Sequence, residues 1–164
     1  MAKTIPAILV TCVLFAAPAV ADDAKDAKYV KLVHADTSKV LAVADNSEDA
    51  GAKTVLAKDD GSKAQQWQLV KDGDHLKIVN RKTGKVLDVE EASADEGASI
   101  IQWDDKDEGT ENQRWSWEGK DKDRRLKSKS SNLVLDIGDN NMIVQKKADD
   151  KAKSQLWKVV DIKD

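Results

Sequence analysis

The feature that most constrains this chain is a triplet, Gln-x-Trp, written three times: Gln65-Gln66-Trp67, Gln113-Arg114-Trp115 and Gln155-Leu156-Trp157. The triplets begin at 65, 113 and 155, so the periods are 48 and 42 residues. One phrase precedes each of them: "YVKLVHADTSKVLAV", "HLKIVNRKTGKVLDV" and "RLKSKSSNLVLDI". Each phrase continues through a polar loop into a short apolar run, "TVLAK", "SIIQW" or "MIVQK". A repeat of this length is one supersecondary unit, too small to bury its apolar side alone, so three copies must share one core. The runs alternate or cluster with β-branched residues, and turns such as "RKTGK" and "KDGD" separate them, which predicts strands. After residue 29 no stretch keeps apolar residues at helical spacing for three turns. The expectation is an all-β chain of about four strands per copy, closed into a compact pseudo-threefold barrel, with repeats at about 29–70, 71–118 and 119–164.

The symmetry gives the triplets a structural reading. Trp67, Trp115 and Trp157 stand at equivalent points of three copies and are predicted to plug the shared core. Gln65, Gln113 and Gln155 are predicted to bond loop backbone that would otherwise lack partners.

Residues 1–21 read as a secretory signal. Lys3 is followed by an apolar run from Ile5 to Val20, and Ala19-Val20-Ala21 before Asp22 supplies the small residues a signal peptidase accepts. The run is interrupted by Pro6 and Pro18 and is too poorly flanked for a retained span. A cut after Ala21 leaves 143 of 164 residues, about one domain, and predicts a secreted or periplasmic protein with no membrane attachment once the signal is gone. Residues 22–28, "DDAKDAK", form a charged tether, and residues 29–164 form the domain. The one cysteine, Cys12, goes with the signal, so no disulfide is available. The signal also removes one lysine, leaving 26 basic against 30 acidic residues, a net charge of −4. These charges are interspersed, no basic face emerges, and nucleic acid is not expected as a partner.

The arrangement resembles the ricin-type β-trefoil lectins, including the carbohydrate-binding modules of bacterial glycosidases. What carries the resemblance is the threefold Gln-x-Trp and, in the second and third copies, the Leu-Asp strand about 25 residues upstream; it covers residues 29–160. It implies a β-trefoil and, in each copy, a shallow sugar site. An aspartate after the leucine accepts bonds from hydroxyls, an aromatic some fifteen residues on stacks against the ring, and an asparagine precedes the triplet's glutamine. The second copy matches at all three places with Asp88, Trp103 and Asn112. The first has Ala42, Lys58 and Ala64, and the third keeps Asp136 but has a shortened loop, Lys146 and Ser154. Two departures stand in the second copy itself. Ile101 replaces the polar residue usual two places before the aromatic, and Val86 and Asp105 stand where family cysteines often are.

The chemistry of these residue types agrees with that implication. A sugar presents an apolar C–H face and a rim of hydroxyls, which an indole, a carboxylate and an amide can match. Strand alternation puts Ile100 and Gln102 on one side and Ile101 and Trp103 on the other, so an inward Ile100 sends Trp103 outward. Plainer roles exist for both residues: Trp103 packed against "DDKDEGTEN", and Asp88 bonded to backbone at a strand end. No catalytic constellation, cofactor motif or metal pattern is found. His34 and His75, near strand starts, form no ligand pair, and in "DDKDEGTE" Gly109 falls at the fifth place from Asp105, where a calcium loop needs an oxygen. That segment reads as a solvated acidic loop. The expected partner is therefore a mono- or polysaccharide. The competing reading is a protein-interaction or inhibitor module on a trefoil whose sugar sites have decayed.

Overall fold

The computed structural model describes residues 28–120 and 122–162, so the signal segment and most of the tether lie outside the described residues. The first repeat contains β1 (Val30–His34), β2 (Val40–Val43), β3 (Thr54–Ala57) and β4 (Trp67–Asp72). The second contains β5 (His75–Asn80), β6 (Val86–Val89), β7 (Ile100–Trp103) and β8 (Trp115–Glu118), and the third β9 (Arg125–Ser128), β10 (Val134–Ile137), β11 (Ile143–Lys146) and β12 (Trp157–Asp161). His34 closes β1 rather than opening it. All pairings are antiparallel.

Six strands form a barrel. β1 pairs with β4, β4 with β5, β5 with β8 and β8 with β9. The ring closes where Arg124 bridges Trp157 and where β12 runs beside β1 from Val30↔Asp161 to His34↔Trp157. The remaining strands make three hairpins, β2–β3, β6–β7 and β10–β11, which cap one end. The hairpins touch through single bridges at Lys53↔Ile101, Ser99↔Val144 and Val55↔Met142. This is a β-trefoil.

The threefold pattern lies in the core as layers of equivalent side chains. Leu32, Ile78 and Leu126 form one, Leu41, Leu87 and Leu135 another, and Trp67, Trp115 and Trp157 the third, none more than 1% exposed. Each triplet glutamine spans the loop before it. Gln65 Nε2 donates to Lys58 O and its Oε1 accepts from Asp60 N–H; Gln113 does the same with Asp104 O and Lys106 N–H, and Gln155 with Lys147 O and Asp149 N–H. Buried main-chain groups thereby find partners in all three loops. The indoles of Trp67 and Trp115 donate to Leu41 O and Leu87 O at 3.0 Å. Trp157 Nε1 has no such partner among the described residues, and His34 meets that indole edge-on at 5.5 Å between ring centres.

Candidate functional site

The site is set by the β6–β7 hairpin. Val86 lies opposite Trp103, Leu87 opposite Gln102, Asp88 opposite Ile101 and Val89 opposite Ile100. Residues directly opposite share a face of the sheet, so Asp88 and Trp103 point to the same side, away from the core layer of Leu87 and Ile100. Ile100 is fully buried and Trp103 is 41% exposed. Trp103 and Val160 are the exposed large hydrophobics among the described residues. The outer edge of the Trp103 indole rests against Gly51 of the first repeat.

Asp88 is 2% exposed, and every group it meets is a donor. Asn112 Nδ2 reaches its Oδ1 at 2.7 Å, Gln113 Nε2 its Oδ2 at 2.7 Å, and Lys106 Nζ its Oδ2 at 3.3 Å. Burial pushes the Asp88 carboxyl above the ordinary carboxylate range, while the Gln113, Lys106 and Asn112 donors pull it back. Asn112, 1% exposed, uses its second amide proton on Val89 O at 3.0 Å. Its Oδ1 holds only a long contact, 3.5 Å, to Lys106 Nζ. The structure therefore brings Asp88 and Asn112 into direct contact and adds Lys106, which the sequence reading passed over. Lys106 is the movable member: its side chain is 36% exposed and its ammonium is held by the two longest bonds of the group. The signal for it was its place three residues after Trp103, hidden in a run of charges.

The acidic segment following β7 is more tied down than a free solvated loop. Asp104 pairs with Lys85, Asp105 with Lys77 and more distantly with Arg114, and Glu111 lies near Lys129. These carboxylates remain partly exposed, so each pair is worth little by itself. Together they hold the loop that carries Lys106 and Asn112 beside Asp88.

The other repeats differ at each place. In the first, strand pairing puts Ala57 opposite Val40, the position of Trp103 opposite Val86. The register thus corrects Lys58, which lies one residue beyond β3, to Ala57. Ala42 and Ala64 leave Gln65 with loop backbone alone. In the third repeat Asp136 accepts from Gln155 Nε2 at 3.0 Å and from the neighbouring Ile137 N–H at 2.6 Å. Lys146 stands at the aromatic position, opposite Val134. The loop between β10 and β11 has five residues, 138–142, where the first two repeats have ten, 44–53 and 90–99. A separate groove of about 390 Å³, lined by His75, Leu76, Ser116 and Trp117 among others, shares no residue with the Asp88 site.

What the second repeat offers is a shallow shelf: an exposed indole on one side and a buried carboxylate, a carboxamide oxygen and an ammonium on the other. That combination suits a small ligand with one apolar face and a hydroxylated rim.

Solved structures agree with the trefoil. A designed threefold-symmetric protein, ThreeFoil, superimposes with a TM-score of 0.76 at 33% identity, over 82% of this chain and 99% of that one. An exo-β-1,3-galactanase from Clostridium thermocellum gives 0.75 at 34% identity, over 84% of this chain but only 31% of the enzyme. The Polyporus squamosus lectin, solved with Neu5Acα2-6Galβ1-4GlcNAc, gives 0.70 at 19% identity, covering 81% of this chain and 48% of the lectin; at that identity it speaks for the fold alone. No match is found among curated protein sequences. The family described as "Ricin-type beta-trefoil lectin domain-like" matches residues 19–103, just over half the chain, and with the Gln-x-Trp core layered as it is, the chain belongs to that family.

Proposed function

We propose that this protein is an exported, non-catalytic carbohydrate-binding module that holds a sugar on the shelf of its second repeat. One observation carries the reading. Three of the four tryptophans that end or begin strands β4, β7, β8 and β12 are core plugs no more than 1% exposed, whereas Trp103 is 41% exposed on the face that also bears Asp88. The C–H face of a pyranose stacks on the Trp103 indole. Its hydroxyls take the place of the long Lys106 contacts, bonding to Lys106 Nζ, to Asn112 Oδ1 and to the edge of Asp88. The Asp88 carboxylate, held by Asn112 and Gln113, fixes that polar wall so that little reorganises on binding.

A single shallow site of this kind gives a Kd near the millimolar end, about −4 kcal/mol. The galactanase that carries a similar domain acts, by its name, on a β-1,3-galactan, so galactose-containing oligosaccharides are the first probes, followed by xylose- and glucose-containing ones. The test is a titration of residues 22–164 beside Trp103→Ala, read by tryptophan fluorescence and calorimetry, with circular dichroism as a check on folding. Saturable binding by the wild type that vanishes in a folded Trp103→Ala supports the reading. Equal binding by both proteins moves the ligand elsewhere, and a protein partner recovered by both favours the interaction-module reading.

A further inference from the structure

The site residues all belong to the second repeat, yet the seat of Trp103 belongs to the first. Gly51, at φ +85°, lies so close beneath the indole that a Cβ there would come within 3.3 Å of Trp103 Cζ3. β7 is stitched to this loop along its length. Gly51 N–H donates to Gln102 O at 2.8 Å, Gln102 N–H donates to Ala52 O at 2.9 Å, and Lys53 bridges Ile101. The Gln102 side chain, fully buried, completes the seam: Nε2 donates to Ser47 O and Asp49 O, and Oε1 accepts from Thr83 Oγ1.

The same seam recurs once. Gln145 of the third repeat binds Ser93 O, Asp95 O and Ser131 Oγ, and exchanges main-chain bonds with Gly97 and Ala98. The third seam is missing because the loop that would receive it, 138–142, is five residues shorter, and Leu56 stands where the glutamine would be. The recurring seam differs in one respect. Gly97 has nearly the same φ, +88°, but a Cβ there would meet nothing within 4 Å, since Lys146 rather than an aromatic occupies the next strand position. Only the seam that carries Trp103 brings its glycine against a side chain.

We infer that Gly51 and Gln102 are positioning residues for the second-repeat shelf: the loop of the first repeat, a repeat without site residues of its own, sets the orientation of the Trp103 indole. The consequence for ligand affinity rests on the sugar-binding reading above, but the seating itself does not. A platform must be held to within about 0.5 Å to stack well, and a Cβ at Gly51 forces the indole to give by a few tenths of an ångström.

The experiment compares Gly51→Ala with Gly97→Ala, two changes that impose the same backbone strain at equivalent loops. Trp103 is observed by subtracting from each protein the fluorescence of its Trp103→Phe counterpart. Expected is a similar fall in Tm for both variants, with altered emission and acrylamide quenching of Trp103 in Gly51→Ala alone. Sugar Kd should rise several-fold in Gly51→Ala and stay at the wild-type value in Gly97→Ala. Gln102→Leu, copying the first repeat, should reproduce the effect, and Gln145→Leu should not. Trp103 emission and quenching identical in the two glycine variants would overturn the inference. If the wild type binds no sugar the function proposed above falls, and the sugar-free quenching still decides whether Gly51 seats the indole.

Discussion

Asp88 and Asp136 occupy the same place in two copies of one hairpin, each after a fully buried leucine and each bonded by the glutamine of its Gln-x-Trp. They differ in what takes the remaining oxygen. Asp136 turns it on the main chain next door, at Ile137 N–H. Asp88 gives it to Asn112 and shares the first with Lys106. The aspartate–glutamine bond is thus common property of the fold, whereas the asparagine, the lysine and the exposed indole occur together only in the second repeat. An aspartate at this position is therefore weak evidence of a site; its partners are what distinguish the two copies.

The largest effect separates core from shelf. Trp115→Ala, which empties the central plug of the second repeat, should cost about 3–5 kcal/mol in a denaturant titration. Trp103→Ala, twelve residues earlier in the chain yet on the outer face, should cost under about 1 kcal/mol. Comparable losses from the two would place Trp103 in the core.

Next comes the aspartate pair itself. Asp88→Ala strands amide protons of Asn112 and Gln113 in a buried setting and should destabilise by about 1–3 kcal/mol. Asp136→Ala removes a carboxylate that holds one side chain, Gln155, where Asp88 holds Asn112, Gln113 and Lys106, so its loss should be the smaller one in the same thermal melt. The reverse order would mean that the Asp88 network contributes less than its geometry indicates.

A smaller effect lies in the loop after each hairpin's first strand. Asp45 and Asn46 in the first repeat, and Asn140 and Asn141 in the third, adopt positive φ, which those residue types tolerate; the second repeat places Glu91 and Ala92 there, at φ 56° and 51°. Ala92→Gly should stabilise the protein by about 0.5–1 kcal/mol, whereas Asn141→Gly should change the melt little.

The last prediction concerns pH and brings in the first repeat. His34 is buried at the position of Asn80, with Nδ1 accepting from Thr37 and Nε2 facing Lys153 O at 3.2 Å. Burial lowers its pKa below the ordinary histidine value, against opposing pulls from the Lys153 carbonyl, Asp36 and Asp136 of the third repeat. The folded state then prefers the neutral ring. Its contribution is fully present above the unfolded value near 6.5 and is lost as pH falls through that value toward the depressed one. Stability measured from pH 8 downward should decline through this window in the wild type, and His34→Asn should flatten the decline.

Much of this was legible in residue order. Three Gln-x-Trp triplets at a near-constant period specify three copies of one unit. Alternation along "SIIQW" told which side Trp103 takes relative to Ile100, because the period of a strand is two whatever the rest of the chain does. The error at Lys58 was one of alignment: the interval of 15 residues from Asp88 to Trp103, applied from Ala42, ends at Ala57, the residue that pairing places opposite Val40. Lys106 was invisible for a different reason: one lysine among many charges is distinguished only by the carboxylate it ends up beside.

By itself, then, the sequence determined the threefold core, because equivalent apolar positions in three short units can leave water only by meeting one another. The tertiary structure decided the rest of the shelf: that Asp88 lies buried under Lys106, and that Gly51 of the first repeat lies beneath the Trp103 indole. Those facts depend on contacts between residues 18 and 52 positions apart, which no local pattern encodes.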